Sequence, residues 1–174
     1  YIVELVSTDQ AGNSGSAVPY QFTIDKSSPT ARVLLPRDVN NSGVRQVTSI
    51  SGTASDNFNN DEVYLAMRQF GTPSNWYNGS NFQIGGVDPV WLSMKTLGTL
   101  STNATYWSYA PAGLDDDFTA EPSGLRYLLL VKGRDVAGNE QDYFGVGVSS
   151  LVIHVDKFPP TSSITLPADD LNGA

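Results

Sequence analysis

A phrase repeated within the chain constrains its fold more than any other feature. Residues 1–13 read YIVELVSTDQAGN and residues 127–139 read YLLLVKGRDVAGN. Both open on tyrosine, run through β-forming residues and close on Asp-x-Ala-Gly-Asn. Downstream, FTIDKSSPTARVLLP at 22–36 is answered by IHVDKFPPTSSITLP at 153–167. The first blocks are offset by 126 residues and the second by 131, so the second copy carries five more residues between its blocks. Two matched blocks in matched order are poorly explained by chance. The unit is about 130 residues long, and a complete copy is expected at 28–157. Residues 1–27 read as the last two strands of a preceding unit, and 158–174 as the first strand of a following one. The chain therefore reads as an excerpt of a longer array. A complete short chain would have to pair its orphan strands with neighbours by strand addition, because open strand edges are a liability.

Strand signals recur along the unit and helix signals are scarce. Extended, β-rich stretches are expected at 30–36, 46–54, 62–70, 125–134 and 146–156. In 46–54 the alternation is imperfect, with Val47, Ser49 and Gly52 set against Thr48 and Ile50. In 62–70, Val63, Leu65 and Met67 are expected to face inward. Turn clusters at 40–43, 55–61, 71–75 and 136–142 separate the strands. Ten prolines and 16 glycines suit an all-β chain with many turns. About seven strands in one repeat predict an immunoglobulin-like β-sandwich in tandem array. The unit exceeds a minimal sandwich by roughly 30 residues, and the excess falls in an enlarged middle section between about Asn75 and Pro122.

Charge and composition exclude several functions. The net charge is −8, with 10 basic against 18 acidic residues. Such a chain repels phosphate backbones, so nucleic acid is not an expected partner, whereas a cation is a natural one. Without cysteine there is no disulfide scaffold, thiolate metal site or cysteine nucleophile. No apolar run in this stretch is long enough to span a membrane. No nucleophile elbow, phosphate loop or metalloprotease helix is present. The single histidine, His154, lies in an alternating strand and reads as a surface or packing residue. The run Asp115–Asp117 reads as a solvated turn, because adjacent loop carboxylates point in different directions. The chain is not expected to be an enzyme.

Several phrases carry a family resemblance. SGTASDN at 51–57, GLRYLLLVKGRDVAGN at 124–139, and the IDxxxPT and VDxxxPT patterns at 24–30 and 155–161 resemble bacterial Ig-like tandem repeats. The section around NWYNGSNF and YWSYA is similar to the middle of such repeats. Gly133 departs from the pattern, standing where many relatives carry alanine. The resemblance implies an Ig-like, cadherin-like or fibronectin-III-like sandwich within a large secreted or surface-anchored protein. It implies little about a ligand.

Calcium is the sharpest chemical expectation. In an Ig-like sandwich the loops after the second and sixth strands share a pole with the amino terminus. Those segments here carry Asp56 and Asn57, Asp135 and Asn139, and Asp25. Asn59, Asn60, Asp61 and Glu62 follow closely. Calcium takes six to eight oxygen ligands of this kind. The plainer reading, preferred on sequence alone, is turns without metal. Asp and Asn side chains bond the backbone two residues on, and Gly138 can supply a positive φ.

Three tryptophans lie in the enlarged section. Trp107 is expected in the core. Trp76 and Tyr77, with Trp91, form a candidate ligand platform, and core packing is the competing reading. Sequons at Asn40, Asn78 and Asn103 fall in or near turns and permit glycosylation. The short linkers KSSP at 26–29 and KFPP at 157–160 are stiffened by proline, which favours a rod. The expected function is a structural or adhesive repeat of an extracellular fibre, stalk or cell-surface protein, with neighbouring repeats as partners. One alternative is a carbohydrate- or ligand-binding accessory module of a secreted multidomain protein, recognising a surface glycan or protein. Another is a strand-exchanging filament subunit.

Overall fold

A computed structural model describes residues 1–38, 42–120 and 124–164. The strands between Thr30 and Val155 form a β-sandwich of two antiparallel sheets. The first sheet is built from β3 (Thr30–Leu35), β4 (Ile50–Ser55), β9 (Thr99–Leu100) and β10 (Tyr106–Tyr109), in the order β3-β4-β10-β9. The second contains β5 (Asn60–Gln69), β6 (Asn75–Tyr77), β7 (Phe82–Ile84), β11 (Leu125–Asp135) and β12 (Ser150–Val155), in the order β12-β11-β5-β6-β7. A short strand β8 (Leu92–Ser93) also pairs with β5. This is the strand order of an immunoglobulin-type sandwich. The enlarged middle section supplies β6 to β10, two single-turn helices, α1 (Met94–Leu97) and α2 (Leu114–Asp117), and a 3-10 turn at Thr102–Ala104.

The core follows from strand alternation. Along β11, Tyr127, Leu129, Val131 and Gly133 point inward and are buried. Opposite them on β5, Val63, Leu65 and Met67 are fully buried, as the alternation predicts. Aromatic rings fill the space under the enlarged section. Tyr77, Phe82, Phe118 and Tyr127 meet in tilted and edge-on pairs with centroids 4.7–5.3 Å apart, the geometry that ring quadrupoles favour.

Two strands start later than expected. The stretch 46–54 becomes strand only at Ile50, and Ile50, Gly52 and Ala54 face inward, reversing the parity read from Val47. Val47 is still buried, but its N–H is taken by the Asp115 carboxylate at 2.7 Å. At 146–156, the first residues form a turn in which three amides converge on the Gly145 carbonyl, and β12 begins at Ser150. Gly133 has a packing reason: a Cβ there would lie 3.1 Å from the Pro29 ring of the linker.

Residues 1–24 stand apart from the sandwich as a hairpin of β1 (Ile2–Leu5) and β2 (Val18–Gln21). All of its side chains are exposed. Among the described residues, no helix is long and apolar enough to cross a membrane.

Candidate metal centre

The centre is assembled from three separate segments at one pole. The linker after the hairpin brings Asp25, the β4–β5 loop brings Asp56, and the end of β11 brings Asp135. One carboxylate oxygen from each lies within 4.8 Å of the others. A β-bulge at Arg134/Asp135 sets Asp135 opposite Asn60 in the ladder, and bulges of this kind re-aim side chains next to functional sites.

Local turns fix each carboxylate. Asp135 accepts the Asn139 N–H at Oδ1 and the Asn139 amide at Oδ2, both at 2.7 Å. Gly138 closes the turn at φ +92°, where an L side chain would be strained. Asp56 Oδ2 accepts the Phe58 N–H at 2.9 Å. Asp25 Oδ1 accepts the Ser27 N–H at 2.9 Å, and the Asn139 amide donates to the Asp25 carbonyl at 3.3 Å. Asn57 contributes an amide 3.1 and 3.3 Å from the two Asp56 oxygens. All five residues expected at this pole, Asp25, Asp56, Asn57, Asp135 and Asn139, are therefore brought together. Asn139 acts here as a donor that orients Asp135 and Asp25.

One buried oxygen of the cluster, and another on the residue across the ladder from Asp135, have no hydrogen-bond partner. These are Asp25 Oδ2 and Asn60 Oδ1. Asn60 is only 7% exposed and is the cross-strand neighbour of Asp135. Buried acceptors without partners are costly, and like charges this close repel. A cation would answer both problems. Every donor is oxygen, so the residues suit a hard divalent ion.

The turn itself does not depend on a metal. Around Asp9, the Asn13 N–H and side-chain amide both reach the carboxylate at 2.8 Å, with Gly12 at φ +87°. This is the Asp135 turn repeated outside the three-carboxylate cluster found among the described residues. Asp-x-Ala-Gly-Asn is thus a self-sufficient turn, and the convergence of three segments is what makes a site of it.

Burial pushes the Asp135 carboxyl upward, but the hydrogen bonds from Asn139, Gly138 and Ala137 outweigh it and hold it below the ordinary carboxylate range. A depressed folded-state value contributes stability above the unfolded value of about 3.9, which is lost as pH falls through the folded value. The stability difference between the native chain and Asp135→Asn should therefore be constant at neutral pH and shrink below about pH 4. Denaturant titrations across that range check this. A difference unchanged down to about pH 2 would rule out an ionised Asp135 as its source.

The ligand platform expected at Trp76, Tyr77 and Trp91 is not formed. Trp76 is 2% and Tyr77 1% exposed. Tyr77 faces the core and donates to Asp117 Oδ2 at 2.7 Å. Trp76 points to the opposite face, where Arg68 lies 5.1 Å over its ring and its indole N–H meets the Gly86 carbonyl. Trp91 is half-buried, stacks on Phe144 at 5.7 Å and covers the Lys132 ammonium. Strand pairing of β6 and the covering loop at Gly86 remove the flat exposed face such a platform needs. Trp107 is buried, as expected. The Asp115–Asp117 run is no free turn: Asp115 and Asp117 are both bonded. His154 pairs with Asp38 at 2.8 Å. Asn78 and Asn103 are exposed, and Asn40 lies outside the described residues.

Fold and site together define an all-β sandwich unit with an acidic pole that could hold a divalent cation. No protein-family model matches the chain, and no curated protein matches it.

Proposed function

We propose that this chain is a structural repeat module of an extracellular rod, stalk or cell-surface fibre of the bacterial Ig-like type. Like units join head to tail, and calcium stiffens the junctions. An adhesive role would then belong to the array or its tip.

One observation carries the reading: the β1–β2 hairpin is a bare copy of β11–β12. Val3 pairs with Tyr20 as Leu129 pairs with Leu151. Tyr1 and Phe22 stack at 5.5 Å at the position of the Tyr127–Ile153 pair. Tyr127, Leu129 and Val131 are fully buried, whereas their counterparts Tyr1, Val3 and Leu5 are 54–80% exposed. An apolar face with the register of a sandwich core, left uncovered, supports its completion by strands equivalent to β3–β5 of another unit. The linker carboxylate Asp25, reaching into the next unit's pole, supports calcium as the stiffening ion.

Small-angle scattering of polypeptides carrying one, two and three units tests this. In calcium, the maximum dimension should rise by a constant increment per unit. Chelation should shorten and broaden the distance distribution. Growth that flattens with added units, as for beads on flexible string, would reject the rod. The same open hairpin favours one second reading, a strand-exchanging filament subunit. Concentration-dependent polymers of the single chain would select it.

A further inference from the structure

We infer that the Asp-Lys dipeptide at each unit boundary is a two-way tie: its lysine holds the unit just completed, and its aspartate supplies a cation ligand to the unit that follows. The inference rests on the tandem reading and on the metal centre above.

The chain holds this dipeptide twice, as Asp25-Lys26 and Asp156-Lys157, in matched positions of the repeated block. The two copies share one local geometry. Asp25 Oδ1 accepts the Ser27 N–H and Asp156 Oδ1 the Phe158 N–H, both at 2.9 Å. Their engagements are complementary. At the first copy a following unit is present, and Asp25 joins Asp56 and Asp135 with its Oδ2 buried and unpaired. The adjacent Lys26 is exposed and makes no ion pair among the described residues. At the second copy a complete preceding unit is present. There Lys157 reaches the Asp115 carboxylate at 3.1 Å and donates to the Asp115 carbonyl, while Asp156 is exposed outside its turn. Each half of the dipeptide is engaged where the described residues include its domain and idle elsewhere.

The Asp115 anchor is itself braced, since its other oxygen accepts the Val47 N–H at 2.7 Å. The forward half draws on a second observation, the buried oxygen without a partner on Asn60, the residue paired with Asp135 across the ladder. Two adjacent residues pulling on opposite domains leave the boundary few free torsions. Without the ion, only the backward tie remains.

Pulsed dipolar spectroscopy on the whole chain tests both halves, and the absence of native cysteine makes the spin labels unique. A Ser16→Cys/Thr99→Cys pair reports the hairpin against the sandwich. A Thr99→Cys/Ser163→Cys pair reports the segment after Lys157. Calcium titration of the unlabelled chain is measured alongside. In calcium the hairpin distribution should be narrow. Asp25→Asn keeps the Ser27 acceptor but loses the charge. It should weaken calcium binding by on the order of tenfold or more and broaden the hairpin distribution to its chelated width. Lys157→Met should leave both unchanged and broaden only the tail distribution. An Asp25→Asn chain that binds calcium like the native one overturns the forward half. An unchanged tail in Lys157→Met overturns the backward half. If the native chain binds no calcium, the metal centre falls with the forward half, and the lysine tie is judged on the tail distribution alone.

Discussion

Replacing Gly52 by alanine should destabilise the sandwich by about 3 kcal/mol or more, at the upper end of overpacking costs. Gly52 sits mid-strand in β4, paired with Val33 on one side and Trp107 on the other. A Cβ at this position would fall 1.9 Å from the Arg32 carbonyl oxygen and 2.7 Å from the Trp107 ring. Neither neighbour can yield cheaply. The carbonyl belongs to the backbone of the adjacent strand, and the indole is 2% exposed in a packed core. Interiors at crystal-like density transmit such a clash. Urea unfolding followed by tryptophan fluorescence reads the loss. A cost below about 1 kcal/mol would mean that Trp107 does not lie against this glycine.

Truncating Tyr127 to alanine should cost about 3–5 kcal/mol, a large share of the 5–15 kcal/mol typical of a domain. Its ring is fully buried against Phe82 and Phe118, with centroids at 5.1 and 4.7 Å. Its hydroxyl donates to the Thr119 carbonyl at 2.9 Å, and the Gln69 amide donates to it at 3.4 Å. Tyr127→Phe removes only the hydroxyl and should cost about 1 kcal/mol. The gap between the two variants measures the ring. Equal losses would show that the hydroxyl network, and not aromatic packing, holds this end of β11.

The comparison of Tyr127 with Tyr1 shows how much of the fold was legible. Both tyrosines open the same phrase, and period-two alternation marks the inward positions of β5 and β11. The repeat marked Asp25 and Asp135, and the turn cluster at 55–61 marked Asp56: all three lie in turns recognisable by residue type. The burial of Asn60 beside Asp135 was harder to read. Its pairing with Asp135 follows a register shift in the ladder, and a bulge leaves no sure mark in the sequence.

The enlarged section was the least legible part. Trp76, Tyr77 and Trp91 are compatible with a ligand platform as long as only their neighbours in sequence are known. Burial is a property of what lies opposite. The Gly86 carbonyl, the Arg68 guanidinium and Phe144 decide it from elsewhere in the chain. The same holds for Asp115, which reads as a solvated acid and becomes an anchor because Val47 and Lys157 fold against it.

Local chemistry in the sequence determined the long strands that carry the core, β5 and β11, and the Asp-x-Ala-Gly-Asn turn, because backbone alternation and glycine φ act over short stretches. The tertiary structure alone decided that three carboxylates meet within 4.8 Å, that the tryptophans are covered, and that Asp25 and Lys157 engage different neighbours. Each of these requires groups far apart in the chain to meet, and neighbouring residues say little about which distant groups those will be.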